Sequence, residues 1–406
     1  MMDKGLFPLP LLVAAGLLAA SLPAYAAPWS IGGYGKSHFT ALDFPAPEGG
    51  HPDSATAPLG SVVNRIRLSL GARLTDAVHA EICYDFAPRV EDERTDPSRL
   101  GVGEIGTPAY RAADLDRRLY PAEGEDAASF TIQQNQDRAM LFIGTCPADI
   151  YLGRQAIAFG SAHVISPTDI LSPFSYQTLD TEDRIGVDAV RVRVPVGQLS
   201  ELDMGYVAGE DFEFEESACF LRGKLYLWQT DWALTAMFFR EHLLGGIDLA
   251  RAVGGAGAWF ESAMVFDPDY FRLSVGGDYR LTGDLYGFVE YHFNGAGSCD
   301  TEEYLTQLTS AAYADGSVYL LGRHYVAPGL SWQVTPLITA TAEVLWNAGD
   351  GSAYAVPSME YNIRDSVYLD AGLFLGWGDR PGGELQLASE FGSYPDIAYT
   401  SFRVYY

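Results

Sequence analysis

Hydrophobic and polar residues alternate along most of the chain after residue 28. From Arg65 to Leu74 the even positions carry isoleucine, leucine or alanine, and the odd positions carry arginine, serine or glycine. The segments 187–196, 271–280 and 338–347 alternate in the same way. A period of two is typical of a β-strand with one apolar and one polar face. The pattern therefore predicts an all-β protein.

The alternating segments predict about 18 strands, an even number as in bacterial outer-membrane barrels. Glycines blur the alternation between residues 240 and 270, so a count of about 16 is the alternative. The predicted strands span 29–41, 61–74, 76–88, 133–145, 149–160, 186–196, 200–209, 217–228, 231–241, 244–252, 256–266, 270–281, 285–294, 323–334, 337–347, 353–363, 366–377 and 397–406.

Short and long connections alternate between these strands. Long connections follow residues 41, 88, 160, 294 and 377, whereas the joints "TD", "CPAD", "GQLS", "QT", "LTGD", "TP" and "RD" are short. Transmembrane barrels alternate short periplasmic turns with longer external loops in this way. A soluble β-sandwich would show the same period of two, but its connections need not be long and short in turn. The sequence therefore predicts a transmembrane antiparallel up-and-down β-barrel.

The two ends of the chain indicate export and insertion into the outer membrane. Residues 1–26 combine a charged start at Lys4, an apolar run over 6–22 and a small-residue site "AYA", which is the pattern of a cleaved signal peptide. An N-terminal membrane anchor is the alternative. The final residues, "AYTSFRVYY", alternate and end on an aromatic residue, which resembles the C-terminal assembly signal of outer-membrane barrels. Residues 27–406 are then a single barrel domain.

Composition narrows the expected partners. The formal net charge is −27 and the pI is about 4.4, which argues against a nucleic-acid partner because phosphate binding needs a basic surface. The cysteines, at positions 83, 146, 219 and 299, form no metal-binding spacing, so neither a metal nor another cofactor is expected. Export makes disulfide bonds possible, but the spacing leaves the pairs open. The expected partners are outer-membrane lipid, lipopolysaccharide and small polar solutes.

If the apolar face of the barrel meets lipid, its polar face lines the interior. Cations then gather on the interior of neighbouring strands, at Arg65, Arg67, Arg138, Arg154, Arg191, Arg193, Arg222 and Lys224. Much of the excess acid falls in predicted loops. A positive wall opposed by an acidic loop would place a transverse field across a passage and sort polar solutes. The alternative is that the arginines pair with interior carboxylates and fill a closed barrel.

The third external loop is unusually apolar for a surface segment. It reads "SAHVISPTDILSPFSYQTLDTED" and carries Val164, Ile165, Ile170, Leu171 and Phe174. Folded into the lumen, the loop could pack these side chains against the wall while its acids face the passage. The acids expected to shape a constriction are Asp169, Asp180, Glu182 and Asp183.

The same region resembles a known family. The run "GRQAIAFGSAHVISPTDILSPF" followed by "RIGVDAVRVRVPVG" is similar to a pattern of Gram-negative porin-like barrels, in which a Gly-Arg-Gln strand end precedes a Ser-Pro-Thr-Asp loop and a Gly-Val-Asp-Ala strand. Phe159 stands where the family usually has another aromatic residue before the glycine, often tryptophan. The resemblance implies an outer-membrane pore and names no substrate. General porins are often trimers, so a homotrimer is one expectation.

Three functions are compatible with such a barrel. The first is a passive channel for small hydrophilic solutes that favours anionic or polar-anionic ones through its arginines. The second is an outer-membrane hydrolase, for which none of the seven histidines shows a Ser/His/Asp spacing and His163 alone lies near the charged cluster. The third is a non-conducting receptor or adhesion barrel. The channel is the expected function, and the protein is not expected to be an enzyme.

Overall fold

The computed structural model describes residues 28–45, 58–92, 110–122, 125, 129–174, 176, 178–314, 316–382 and 387–406. Residues 1–26, the predicted signal peptide, lie outside the described residues. The strands are β1 Trp29–Asp43, β2 Leu59–Arg73, β3 Val78–Glu91, β4 Arg118–Tyr120, β5 Phe130–Gly144, β6 Asp149–Gln155, β7 Val187–Pro195, β8 Glu201–Val207, β9 Ala218–Leu227, β10 Thr230–Phe239, β11 His242–Val253, β12 Ala256–Phe266, β13 Tyr270–Arg280, β14 Leu285–Asn294, β15 His324–Thr335, β16 Ile338–Asn347, β17 Ala353–Arg364, β18 Val367–Trp377 and β19 Asp396–Tyr405.

Eighteen of these strands form a closed antiparallel barrel. Each wall strand pairs with its neighbours in the sequence, and β1 pairs with β19, so the described sheet has no open edge. The short strand β4 pairs with β5 outside this order. All 18 predicted strands are confirmed, including the two in the glycine-rich region that made 16 an alternative. The predicted strand 149–160 is too long, because β6 ends at Gln155.

Among the described residues, helical structure occurs in short segments of three or four residues between strands. The α-helices are Tyr304–Gln307 and Ala311–Ala314, and 3-10 turns cover Glu210–Phe212, Thr301–Glu303 and Phe391–Ser393. Within the part of the chain that the structure describes, no helix is long and apolar enough to cross a membrane.

The two faces of the wall differ in exposure as the alternation predicts. On β2, Leu68 and Leu70 are about 40% exposed, whereas Arg67, which precedes them, is 4% exposed. On β14, Val289 is exposed and Glu290 is buried. Apolar side chains therefore point outward on these strands, and the buried polar side chains point into the lumen.

The segment 156–186, here called the inward segment, leaves the wall after Gln155. Its side chains Ile157, Phe159, Ile170 and Leu171 are at most 4% exposed and belong to one apolar cluster. The wall contributes the inward-facing Phe220, Met237 and Leu244 to this cluster, among others. Burial of apolar surface is the main force that orders such a segment. This packing against strands β9 to β11 accounts for part of the hydrophobicity of the loop. Ile165 packs in a second apolar cluster, with Tyr325 of β15, Leu345 of β16 and Phe374 of β18.

Candidate functional site

A buried carboxylate on β12 holds the first part of the inward segment. Glu261 is fully buried, and its Oε2 accepts hydrogen bonds from the backbone amides of Ser161 and Ala162, both at 3.1 Å. Its Oε1 accepts bonds from the Ser166 hydroxyl at 2.6 Å and from the amide and hydroxyl of Thr168 at 2.8 and 2.7 Å. Five donors on one carboxylate satisfy its charge without a cation. Glu261 thus fixes the segment to the wall.

A second buried carboxylate, Glu290 on β14, holds the next three residues. It accepts the backbone amides of His163 at 2.8 Å and Ile165 at 2.9 Å, and that of Val164 at 3.3 Å. The indole of Trp259 donates to it at 2.9 Å. Consecutive amides around an anion form a nest, which fixes backbone direction. The ring of His163 stacks on Trp259 with 3.9 Å between ring centroids.

Strands β13 and β14 add a buried serine–histidine pair to these anchors. The Ser274 hydroxyl donates to the carbonyl of Ile165 at 2.5 Å, and Nδ1 of His292 lies 2.8 Å from the same hydroxyl oxygen. Because the serine proton is directed to the Ile165 carbonyl, the histidine is left to donate to the serine oxygen. This arrangement positions the segment and does not activate a nucleophile.

The returning limb of the inward segment meets the opposite wall. Asp180 accepts from Lys36 at 2.9 Å and from Arg65 at 3.2 Å, and Glu182 lies 2.7 Å from Lys36. Asp183 lies 3.6 to 3.8 Å from Arg67 and Arg65. Although burial opposes it, the neighbouring Lys36 holds the pKa of Asp180 below its ordinary value. Three of the four predicted loop acids are therefore in direct contact with the cationic wall and do not face it across a gap.

The remaining predicted cations of the lumen are also paired. Arg191 binds Asp203 at 2.6 Å, Arg193 binds Glu201 at 2.5 Å and Arg222 binds Asp248 at 3.0 Å. Lys224 lies 3.4 Å from Glu201, and Arg138 lies 2.8 Å from Asp137. Arg65 and Arg67 share Asp85, and Arg67 also binds Asp137. The predicted set of lumen cations thus forms a network of salt bridges.

Arg154 does not belong to the lumen, which corrects the prediction for this residue. It pairs in register with Asp188, and Asp188 shares its face of β7 with the outward-facing Val190. Its guanidinium binds Asp188 at 2.8 Å and Asp114 at 2.9 Å. Arg154 is 5% exposed because the external segment around Asp114 covers it. It therefore ties an external loop to the outer face of the wall.

Asp169, the fourth predicted loop acid, lies beside Arg184 within the inward segment and is 2% exposed. Its Oδ2 accepts a hydrogen bond from Arg184, whereas its Oδ1 has no hydrogen-bond partner among the described residues. Burial raises the pKa of this carboxyl to about 6, although Arg184 acts in the other direction.

The four cysteines, for which the spacing left disulfide pairs open, are all free thiols.

Two cavities remain between the inward segment and the wall. The first has a volume of about 510 Å³ and lies between the segment and strands β13 to β18, with Asp169, Arg184, Phe288 and Glu343 in its lining. The second, of about 550 Å³, lies between 179–182 and strands β17 to β19. Thr181 lines both cavities, so they adjoin. Of the predicted site residues, Asp169 lines the first cavity, and Asp180 and Glu182 line the second.

Sequence reasoning missed the residues that position the inward segment. Glu261, Glu290, Ser274 and Arg272 were not predicted as site residues, yet each contacts the segment. A charged residue at an inward position of a strand was the available signal. These residues mainly bind backbone amides and carbonyls of the segment. Every residue carries such groups, so the sequence does not show which of them are bound.

A buried glutamate also links three external loops near the mouth of the barrel. Glu390 accepts hydrogen bonds from the amide of Leu321 at 2.8 Å, the side chain of Asn347 at 2.8 Å and the hydroxyl of Tyr325 at 2.5 Å. Asp350 accepts the amide of Glu390 at 2.8 Å. Glu390 is completely buried, and burial raises its pKa from 4.5 to about 7.

We expect this loop cluster to be more stable at pH 5 than at pH 8. The pKa of Glu390 is higher in the folded protein than in the unfolded chain, so its stabilising contribution is fully present below pH 4.5 and is lost as the pH rises through about 7. Hydrogen exchange of the amides of 318–323, corrected for intrinsic rates, measures the effect. Glu390→Gln stays neutral and should show no such pH dependence. Equal pH dependence in both proteins would contradict the assignment.

Comparison with known proteins places the fold. No family model matches the sequence, and no curated protein sequence does. The structure of OccAB4 from Acinetobacter baumannii aligns over 93% of this chain and 97% of that chain, with a TM-score of 0.57 and 9% identity. OccD3 (OpdP) from Pseudomonas aeruginosa aligns over 93% and 91%, with a TM-score of 0.52 and 9% identity. A triple mutant of the Rhodopseudomonas blastica porin reaches a TM-score of 0.45 at 12% identity over 93% and 100%, which is too low to carry an argument. The chain thus shares a barrel fold with OccAB4 and OccD3.

Proposed function

We propose that the protein is a passive diffusion channel of the outer membrane for small hydrophilic solutes. The observation that carries the proposal is the pair of adjoining cavities between the inward segment and strands β13 to β19. Some of the apolar side chains of the segment fill the region beside β9 to β11. The first cavity has a mixed lining of aromatic, aliphatic and charged side chains, and the second is lined mainly by polar and charged ones. Passage by size and by lining charge is how such constrictions select solutes.

The outer membrane of a Gram-negative cell is the location that this fold supports. The outward apolar face requires lipid, and the predicted signal peptide supplies export. Lipopolysaccharide would then contact the acidic external loops. A homotrimer is a further part of the proposal, and chemical cross-linking of the detergent-solubilised protein would measure it.

A preference for anionic or polar-anionic solutes is the finer proposal that the sequence supports. It requires arginines that a solute can reach. Arg191, Arg193 and Arg222 are each bound to a carboxylate, so an anion would have to displace that partner. The contacts therefore favour cations over anions, and the reversal potential in a salt gradient distinguishes the two preferences.

The first prediction is that folded protein conducts ions in planar lipid bilayers. Refolding is verified by heat-modifiable migration in gels, which reports a closed barrel. We expect discrete single-channel steps that scale with salt concentration, because solvated ions cross a water-filled passage. A correctly folded barrel without conductance would instead support the receptor or adhesion function.

A further inference from the structure

The two sides of the lumen differ in how their charges are paired. The arginines that line one side are in salt bridges: Arg65, Arg67, Arg138, Arg191, Arg193 and Arg222. Two carboxylates on the other side, Glu343 of β16 and Asp370 of β18, line the cavities. In the described part of the chain neither forms a salt bridge, and Arg403, which also lines the second cavity, is bound to Glu360. Two carboxylates therefore border the cavities without a cationic partner, and among the described cations of the lining Arg272 has no carboxylate partner.

Asp169 lines the first cavity as well, but a solute does not reach its carboxylate. Its side chain is 2% exposed, its Oδ2 accepts a hydrogen bond from Arg184, and its Oδ1 is buried. The charge of Asp169 is therefore balanced by Arg184, which leaves Glu343 and Asp370 as the acids of the lining without a salt bridge.

Two cations also border the first cavity, and both are held by the protein. Arg184 donates to Asp169 and, at 2.9 Å, to the carbonyl of Ser172. Arg272 is 4% exposed and donates to the carbonyls of Ser166, Pro167 and Ser317. Neither is free to attract an anion without breaking contacts that hold the inward segment.

Aromatic rings supply the rest of the lining. Phe174 and Tyr176 of the inward segment face Tyr286, Phe288 and Phe374 of the wall around the first cavity, and Tyr368, Tyr399 and Tyr405 line the second. Ring faces attract cations, and ring edges and faces pack against other aromatic groups. Burial and the nearby carboxylate of Glu343 raise the pKa of Tyr176, so this phenol stays neutral and can donate a hydrogen bond.

We propose that the passage selects organic cations that carry an aromatic or apolar ring beside the positive charge. This inference rests on the proposed channel function and names the solute class of the same passage. Glu343 and Asp370 attract the cationic group. The rings around the cavities, Phe288 in particular, pack against the ring of the solute.

The test has two parts, both in planar bilayers with refolded protein. In a potassium chloride gradient the reversal potential should show cation preference. The double variant Glu343→Gln, Asp370→Asn should shift the permeability ratio several-fold towards anions. The control is Arg191→Gln, Asp203→Asn, which removes one charge of each sign from a salt bridge outside both cavities and should leave the ratio unchanged.

The second part tests whether the aromatic ring of the solute contributes to its binding in the passage. Benzyltrimethylammonium should reduce the potassium current at lower concentration than tetramethylammonium, which has the charge without the ring, or benzoate, which has the ring with the opposite charge. Phe288→Leu should remove most of the advantage of the benzyl compound. Equal block by the two cations in the native channel would overturn the ring component.

The outcomes separate this inference from the function on which it rests. A folded native barrel that does not conduct would overturn the channel function itself. A conducting barrel with anion preference, or with cation preference that the double variant does not change, would overturn the inference and leave the channel function standing. If the double variant fails to fold, each single substitution is measured in its place.

Discussion

Replacing Glu261 and Glu290 together by glutamine should release the inward segment from the wall and make the channel current larger and noisier. The two carboxylates accept hydrogen bonds from the amides of 161–165 and 168 and from two hydroxyls. A glutamine offers one acceptor oxygen and turns an amide group towards donors. Hydrogen bonds to a charged group contribute about 1.5–3 kcal/mol each, so losing several of them outweighs the remaining contacts of this limb.

Two measurements check this expectation. Hydrogen exchange of the amides of 161–168 should accelerate by at least about tenfold, which corresponds to about 1.4 kcal/mol in the opening equilibrium. Single-channel recordings should show higher mean conductance and more fluctuation. Glu201→Gln is the matched control, because it also removes one inward carboxylate but contacts Arg193 and Lys224. Protection and current that match the native protein would show that apolar packing alone holds the segment.

The strands of the barrel wall could be predicted from the sequence because the environment of each residue depends on the alternation within its own strand. A strand in a barrel has lipid on one side and a polar lumen on the other, so the period of two is strict from Ile66 to Leu74 and from Val190 to Val194. The end of β6 could not be predicted, because it depends on contacts with distant strands. Residues 156–160 are apolar, but the apolar surface they meet, Phe220 among others, belongs to distant strands.

The direction of Arg154 could not be predicted because it depends on register. Within β6 alone, alternation allows either face, and Gly153 has a φ of +103°, a conformation that favours glycine. Pairing with Asp188 settles the face. Likewise, the sequence indicated cations in the lumen but not their partners. Asp203 lies on the strand next to that of Arg191, and Asp248 lies two strands away from Arg222, in an alignment that no spacing reveals. Site chemistry therefore depended on pairs that only the closed barrel brings together.

Replacing Arg67 by methionine should destabilise the barrel more than any other single change to its lumen cations. Arg67 is 4% exposed and binds two carboxylates that are also buried, Asp85 at 3.3 Å and Asp137 at 2.9 Å. Removing one partner of a buried ion pair costs about 3–5 kcal/mol, because the remaining charge stays desolvated without compensation. Arg65 and Arg138 still contact these acids, so we expect the lower end of that range.

Urea unfolding of the barrel in lipid vesicles, followed by tryptophan fluorescence, measures the loss. Arg193→Met is the control: the side chain of Arg193 is 31% exposed, and a pair this accessible contributes about 0–1 kcal/mol. Adding Asp85→Asn to Arg67→Met removes one carboxylate together with the arginine, while Arg138 still contacts Asp137 and Arg65 still contacts Asp180, so this double variant should recover much of the lost stability. Equal losses for Arg67→Met and Arg193→Met, or no recovery in the double variant, would mean that packing of the arginine side chain and not its charge stabilises this part of the wall. The distinction also bears on transport, because a salt-bridge network that stabilises the wall cannot release its arginines to a passing anion.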